Sequence, residues 1–127
     1  MVLIADDDPD ILSLVSLRLK KAGFGVVTAA DGEEALRAVR EHRPELAIVD
    51  VRMPKMDGLE LIRRIRADEQ SGDIPVIALS ARVRDANRAE GFDAGADEYV
   101  TKPFSPKQLV DLVRAKLATP TAGTATS

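Results

Sequence analysis

Four apolar runs in this chain end on a residue able to do chemistry. Asp6 and Asp7 follow VLIA (2–5), Asp50 follows LAIV (46–49), Ser80 follows VIAL (76–79) and Lys102 follows EYVT (98–101). A fifth run, GVVTA (25–29), is followed only by Ala30. Carboxylates crowded at one place raise one another's pKa unless a cation neutralises them. A hard divalent ion meets that need, and Mg²⁺ is the common choice where carboxylates keep waters and face a phosphate. Lys102 is the opposite charge at the same mouth and reads as a ligand for an anion. Ser80 stands where an oxygen of that anion would lie, and the small Ala81 after it leaves room for a group to enter. No Gly-rich loop follows the first run, so a dinucleotide or P-loop phosphate site is not expected there. Asp8 has a simpler use. It precedes Pro9, and an acidic cap before a proline at the first helical position is a favoured helix start.

These residues can meet only if the elements bring them to one edge. Helical spacing fills the gaps between the runs: Ile11, Leu14, Val15 and Leu19 after Pro9; Ala35, Leu36 and Val39; Leu59, Ile62 and Ile65; and Leu109, Leu112, Val113 and Leu117. A thinner apolar face, Ala86, Ala89 and Phe92, suggests a further helix over roughly 85–94. Strand–helix alternation with short links predicts an α/β, doubly wound parallel sheet with helices on both faces. VLIA, LAIV and VIAL are apolar throughout and suit central strands, whereas GVVTA and EYVT mix in polar residues and suit edges. The strand order 2-1-3-4-5 satisfies this, a flavodoxin-like (βα)5 arrangement whose ligands sit beyond the carboxyl ends of the strands.

Composition sets the outer limits. At 127 residues the chain reads as one domain over 1–117, followed by ATPTAGTATS (118–127), a flexible tail or linker. The net charge of −3 argues against direct nucleic-acid binding. Cysteine is absent, which removes disulfides and thiolate chemistry. The apolar runs are too short to span a membrane, so a cytoplasmic protein is expected.

IADDD, LAIVDVRMPKMDG, VIALSA and DEYVTKPF together resemble the receiver domain of two-component response regulators, over residues 1–117. The resemblance implies that Asp50 accepts a phosphoryl group from a histidine of a sensor kinase or phosphotransfer protein. It implies Mg²⁺, with Mn²⁺ as the substitute, on Asp7, Asp50 and the backbone carbonyl of Arg52, with Asp6 assisting through water. Ser80, Lys102 and the backbone of Ala81 would contact the phosphoryl oxygens, Ser80 and Tyr99 would form the switch, and the Lys102–Pro103 peptide would be cis. Arg52 and Arg82, each two residues beyond a site residue, would modulate phosphate lifetime. The domain would assist its own modification rather than act as an enzyme on an external substrate. It would signal through the surface formed by the 85–94 helix, the fifth strand and the last helix, to an output domain, a downstream protein or a homodimer. Arg88, Asp97 and Glu98 are candidates for dimer charge pairs, although Gln108 and Leu112 stand where charged partners would be needed.

Two rival readings remain. A haloacid-dehalogenase-type phosphatase would use Asp6-x-Asp8, but it leaves Asp50 and MPKMDG unexplained. A pseudo-receiver acting only as a docking module would lack part of the constellation that this chain keeps. The lone His42 and the group Arg63, Arg64 and Arg66 are read as surface residues.

Overall fold

The computed structural model describes residues 1–80 and 95–125, with side chains as far as Leu117. The elements run β1 (Val2–Ala5), α1 (Pro9–Lys21), β2 (Val26–Ala29), α2 (Gly32–His42), β3 (Leu46–Asp50), α3 (Gly58–Ala67), β4 (Val76–Ser80), β5 (Glu98–Thr101) and α4 (Pro106–Ala125). The five strands form one parallel sheet of order β2-β1-β3-β4-β5. This is the doubly wound α/β arrangement expected from the sequence. The helix expected over 85–94 lies outside the described residues.

Strand alternation splits the core into two layers. Leu3 and Ala5 of β1, Ala47 and Val49 of β3 and Val76 and Ala78 of β4 face α2 and α3. Val2 and Ile4, Leu46 and Ile48, and Ile77 and Leu79 face α1 and α4. All these residues are fully buried, so the three central strands carry apolar side chains on both faces. Asp side chains start three helices by accepting an orphan N–H: Asp8 from Asp10, Asp31 from Glu34 and Asp57 from Glu60, at 2.8–2.9 Å.

Two details depart from the sequence reading. Leu14 is 40% exposed and Leu17 52%, so the outer side of α1 is more apolar than its buried stripe requires. Arg66 is not a solvated neighbour of Arg63 and Arg64. Its guanidinium donates to the carbonyls of Gly95, Gly72 and Ile74 and to Asp97 Oδ2, tying the end of α3 to the entries of β4 and β5. The backbone of α4 runs to Ala125, into the segment read from the sequence as a tail or linker.

Candidate functional site

The parallel register brings the carboxyl ends of β1, β3, β4 and β5 to one edge. Ala5 pairs with Val49, Asp50 with Leu79 and Ser80 with Thr101, so Asp6, Asp50, Ser80 and Lys102 leave adjacent strands side by side. The backbone N–H of Lys102 donates to the carbonyl of Ser80 at 2.6 Å, extending the β4–β5 pairing to the site itself. The Lys102–Pro103 peptide is cis.

Asp6 is fully buried and Asp50 is 6% exposed, whereas Asp7 is exposed. One carboxylate oxygen from each of the three lies within 4.8 Å of the others. Lys102 Nζ bridges two of them, at 2.8 Å from Asp6 Oδ2 and 3.2 Å from Asp50 Oδ2. Backbone N–H groups hold the remaining oxygens: Asp8 N donates to Asp6 Oδ1 at 2.9 Å, and Arg52 N to Asp50 Oδ1 at 3.2 Å. The loop after β3 turns back tightly enough that Gly58 N donates to Val51 O at 2.8 Å. A Cβ on Gly58 would collide with the carbonyl of Asp50, so only glycine fits there. The sequence reading passed over this glycine, although the MDG triplet held the signal.

Electrostatics at the site are unbalanced. Burial, followed by the charge of Asp6, pushes the Asp50 carboxyl up from 3.8 to about 6, outweighing the Arg52 N–H and Lys102. Burial opposes the charge on Lys102, yet its hydrogen bond to Asp6 and the charge of Asp50 outweigh that and raise its pKa. A single ammonium thus serves two buried carboxylates and sits closer to Asp6. A cluster of hard oxygen donors with residual negative charge fits a hard divalent cation.

The structure therefore brings together Asp6, Asp7, Asp50, Ser80 and Lys102, with Arg52 on the adjoining loop. Tyr99 is buried in β5 one strand position before Val100, the partner of Leu79. Ala81, Arg82 and Arg88 lie outside the described residues. Asp8 turns away from the cluster to cap α1, which removes the Asp6-x-Asp8 pair that the phosphatase reading needs. Asp97 and Glu98, expected as dimer contacts, are engaged within the chain, Asp97 with Arg66 and the N–H of Val76, and Glu98 with Lys116 at 2.8 Å. No helix among the described residues is long and apolar enough to cross a membrane.

Comparison with known proteins gives the same result. The family model "Response regulator receiver domain" matches residues 2–114. The DNA-binding dual master transcriptional regulator RpaA of Synechocystis is 42% identical over 116 residues, 91% of this chain and 48% of that protein. The chain thus spans about half the length of the curated relatives it matches. Among solved structures, the Vibrio cholerae chemotaxis protein CheY4 superposes with a TM-score of 0.86 at 36% identity, covering 91% of this chain and 96% of that one. The receiver domain of the Pseudomonas aeruginosa sensor histidine kinase PA1611, described with a magnesium ion coordinated in its active site cleft, superposes at 0.85 with 30% identity, covering 92% and 96%. The chain belongs to the response regulator receiver domains of two-component systems.

Proposed function

We propose that Asp50 accepts a phosphoryl group from the phosphohistidine of a sensor kinase or phosphotransfer protein, and that this switches an output domain or partner protein in the cytoplasm. The observation that carries the reading is the Asp50 carboxylate itself. It is nearly buried at the end of central strand β3, 3.2 Å from Lys102 Nζ and clustered with Asp6 and Asp7.

Phosphoryl transfer asks a protein mainly for positioning and charge neutralisation. An ionised Asp50 oxygen forms the new O–P bond while the P–N bond to the imidazole breaks and the imidazole nitrogen keeps the electron pair. Lys102, freed from part of its contact with Asp50, follows the charge onto a phosphoryl oxygen. The Ser80 hydroxyl and the Ala81 backbone N–H take other oxygens. Asp7, Asp50 and the Arg52 carbonyl would hold Mg²⁺ (or Mn²⁺), with Asp6 assisting through water; the acidic cluster of this chain and the magnesium in the active site cleft of the PA1611 receiver support a metal at this edge. When bound, the ion would neutralise charge on the group in transit. Movement of Ser80 toward the phosphate opens space for Tyr99, a shift between pre-existing states that reaches the β5–α4 surface and favours a partner or a homodimer. Arg52 and Arg82, each two residues past a site residue in sequence, would slow hydrolysis of the aspartyl phosphate roughly ten- to thirtyfold, on the order of 1–2 kcal/mol.

Acetyl phosphate with Mg²⁺ should add one phosphoryl group by intact mass, and chelation or Asp50→Asn should abolish it. Full labelling of that variant would overturn the assignment of Asp50.

A further inference from the structure

Strand β2 ends at the acidic edge without supplying a reactive side chain. Its last residue is Ala29, whose carbonyl accepts from the N–H of Asp6 at 3.1 Å. The chain then enters α2 through Asp31 and Gly32, and both of these meet the 51–57 loop that leaves Asp50. A Cβ on Gly32 would collide with the carbonyl oxygen and the Cβ of Met56, so the first turn of α2 lies directly against that loop. Asp31 uses its two oxygens separately. Oδ1 caps α2 by accepting from Glu34 N at 2.8 Å, and Oδ2 lies 3.6 Å from Lys55 Nζ.

The segment held in this way is strained. Met56 N donates to Pro54 O at 2.8 Å, closing a three-residue turn around Lys55, whose φ of 68° is in the left-handed region. Such a turn with positive φ is rare, and it is unfavourable for any residue with a Cβ. Backbone strain persists only where the surroundings over-determine it. The bond from Gly58 N to Val51 O closes the base of the loop, and α2 supports its tip at 54–56.

We infer that Gly32 and Asp31 are positioning residues for the cation site. The first turn of α2 holds the 51–57 loop, and with it the Arg52 backbone, against the acidic edge. This rests on the reading above in which Asp7, Asp50 and the Arg52 carbonyl take the metal. Gly32 sets how closely the loop can sit, and Asp31 keeps the strained turn at Lys55 from relaxing. A backbone carbonyl has no rotamer with which to follow a displaced loop, so any shift of the loop is felt at the ion. An exposed ion pair adds little to global stability, so the Asp31–Lys55 contact acts on the order of the loop.

The test uses the whole chain labelled with ¹⁵N, with Mg²⁺ as the probe. The wild type should show saturable amide shifts at Asp7 and Arg52. Gly32→Ala should weaken Mg²⁺ binding by about tenfold, as loss of support behind a metal ligand does. Gly72→Ala is the packing control. Its Cβ would lie 3.1 Å from the Arg66 carbonyl oxygen, outside the loop, and Mg²⁺ affinity should stay at the wild-type value. Lys55→Gly removes the ion pair and relieves the turn, so urea stability should hold while the Met56 amide exchanges about tenfold faster in chelator. Wild-type Mg²⁺ affinity in Gly32→Ala, equal weakening in Gly72→Ala, or wild-type Met56 exchange in Lys55→Gly would overturn the inference. Absence of saturable Mg²⁺ shifts in the wild type would overturn the metal reading instead, and Met56 exchange in chelator tests the support from α2 separately.

Discussion

Replacing Asp50 by Asn should stabilise this domain when no divalent ion is present. The carboxyl titrates near 3.8 in an ordinary setting and is raised to about 6 here, first by burial and then by Asp6. Between those values the unfolded chain has released its proton while the folded chain still holds it. Stability therefore falls as pH rises through this window and levels off above about pH 6. Moving a carboxyl from 3.8 to about 6 is worth about 3 kcal/mol, the ceiling on what an uncharged isostere recovers. Asn keeps an oxygen for the Arg52 N–H, but it loses the attraction of Lys102 at 3.2 Å. A net gain of about 1–3 kcal/mol at pH 8 follows, or roughly 4 °C in Tm per kcal/mol for a domain of this size.

Urea unfolding of both proteins in chelator at pH 8, 6 and 4 measures the gap directly. The variant should be the more stable at pH 8, and most of the gap should be lost by pH 4, where the folded carboxyl is protonated and the unfolded one is approaching its own pKa of 3.8. Millimolar Mg²⁺ should narrow the gap at pH 8 by stabilising the wild type through mass action. A variant less stable than the wild type at pH 8, or a gap that ignores pH, would refute the claim that Asp50 sits under electrostatic strain.

Three other outcomes follow from the same geometry. Lys102→Met should lower apo stability by roughly 3–5 kcal/mol at pH 8, because it leaves buried Asp6 without its cation, and denaturant melts with and without Mg²⁺ would show partial rescue by the ion. Self-phosphorylation by acetyl phosphate should slow as pH falls through the Asp50 titration, since a protonated carboxyl is no nucleophile; with Mg²⁺ bound the midpoint should lie below the apo value of about 6. Arg66→Ala should cost about 2–4 kcal/mol, and Arg66→Lys should recover little of it. A point charge cannot serve three carbonyls and Asp97 from one planar fork, and urea midpoints of the two variants would decide.

How much of this was legible in the sequence depended on how far each signal reached along the chain. Strand runs, their parallel order and the acidic edge were readable because each is local: an apolar run, a capping Asp, a reactive residue directly after a strand. The topology then did the rest, since a parallel sheet must place every strand's carboxyl end on one side. Contacts between distant segments were not readable. Arg66 looked like part of a surface patch with Arg63 and Arg64, and nothing near it in sequence shows that Gly95 and Asp97 return to meet its guanidinium. Asp97 and Glu98 looked available for a partner for the same reason, and both are engaged within the chain.

The same limit explains the electrostatics of the site. The sequence suggested a division of labour in which the carboxylates hold a metal and Lys102 holds an anion. The folded arrangement has Lys102 against Asp6 at 2.8 Å and Asp50 at 3.2 Å, so without a divalent ion the lysine acts as their counterion. Burial first, and then the charge of Asp6, raises the pKa of Asp50, and one ammonium shared between two carboxylates does not offset them. A cation entering beside Asp7 would relieve that imbalance and leave Lys102 able to follow incoming negative charge. The residue left under strain is therefore the residue proposed to react.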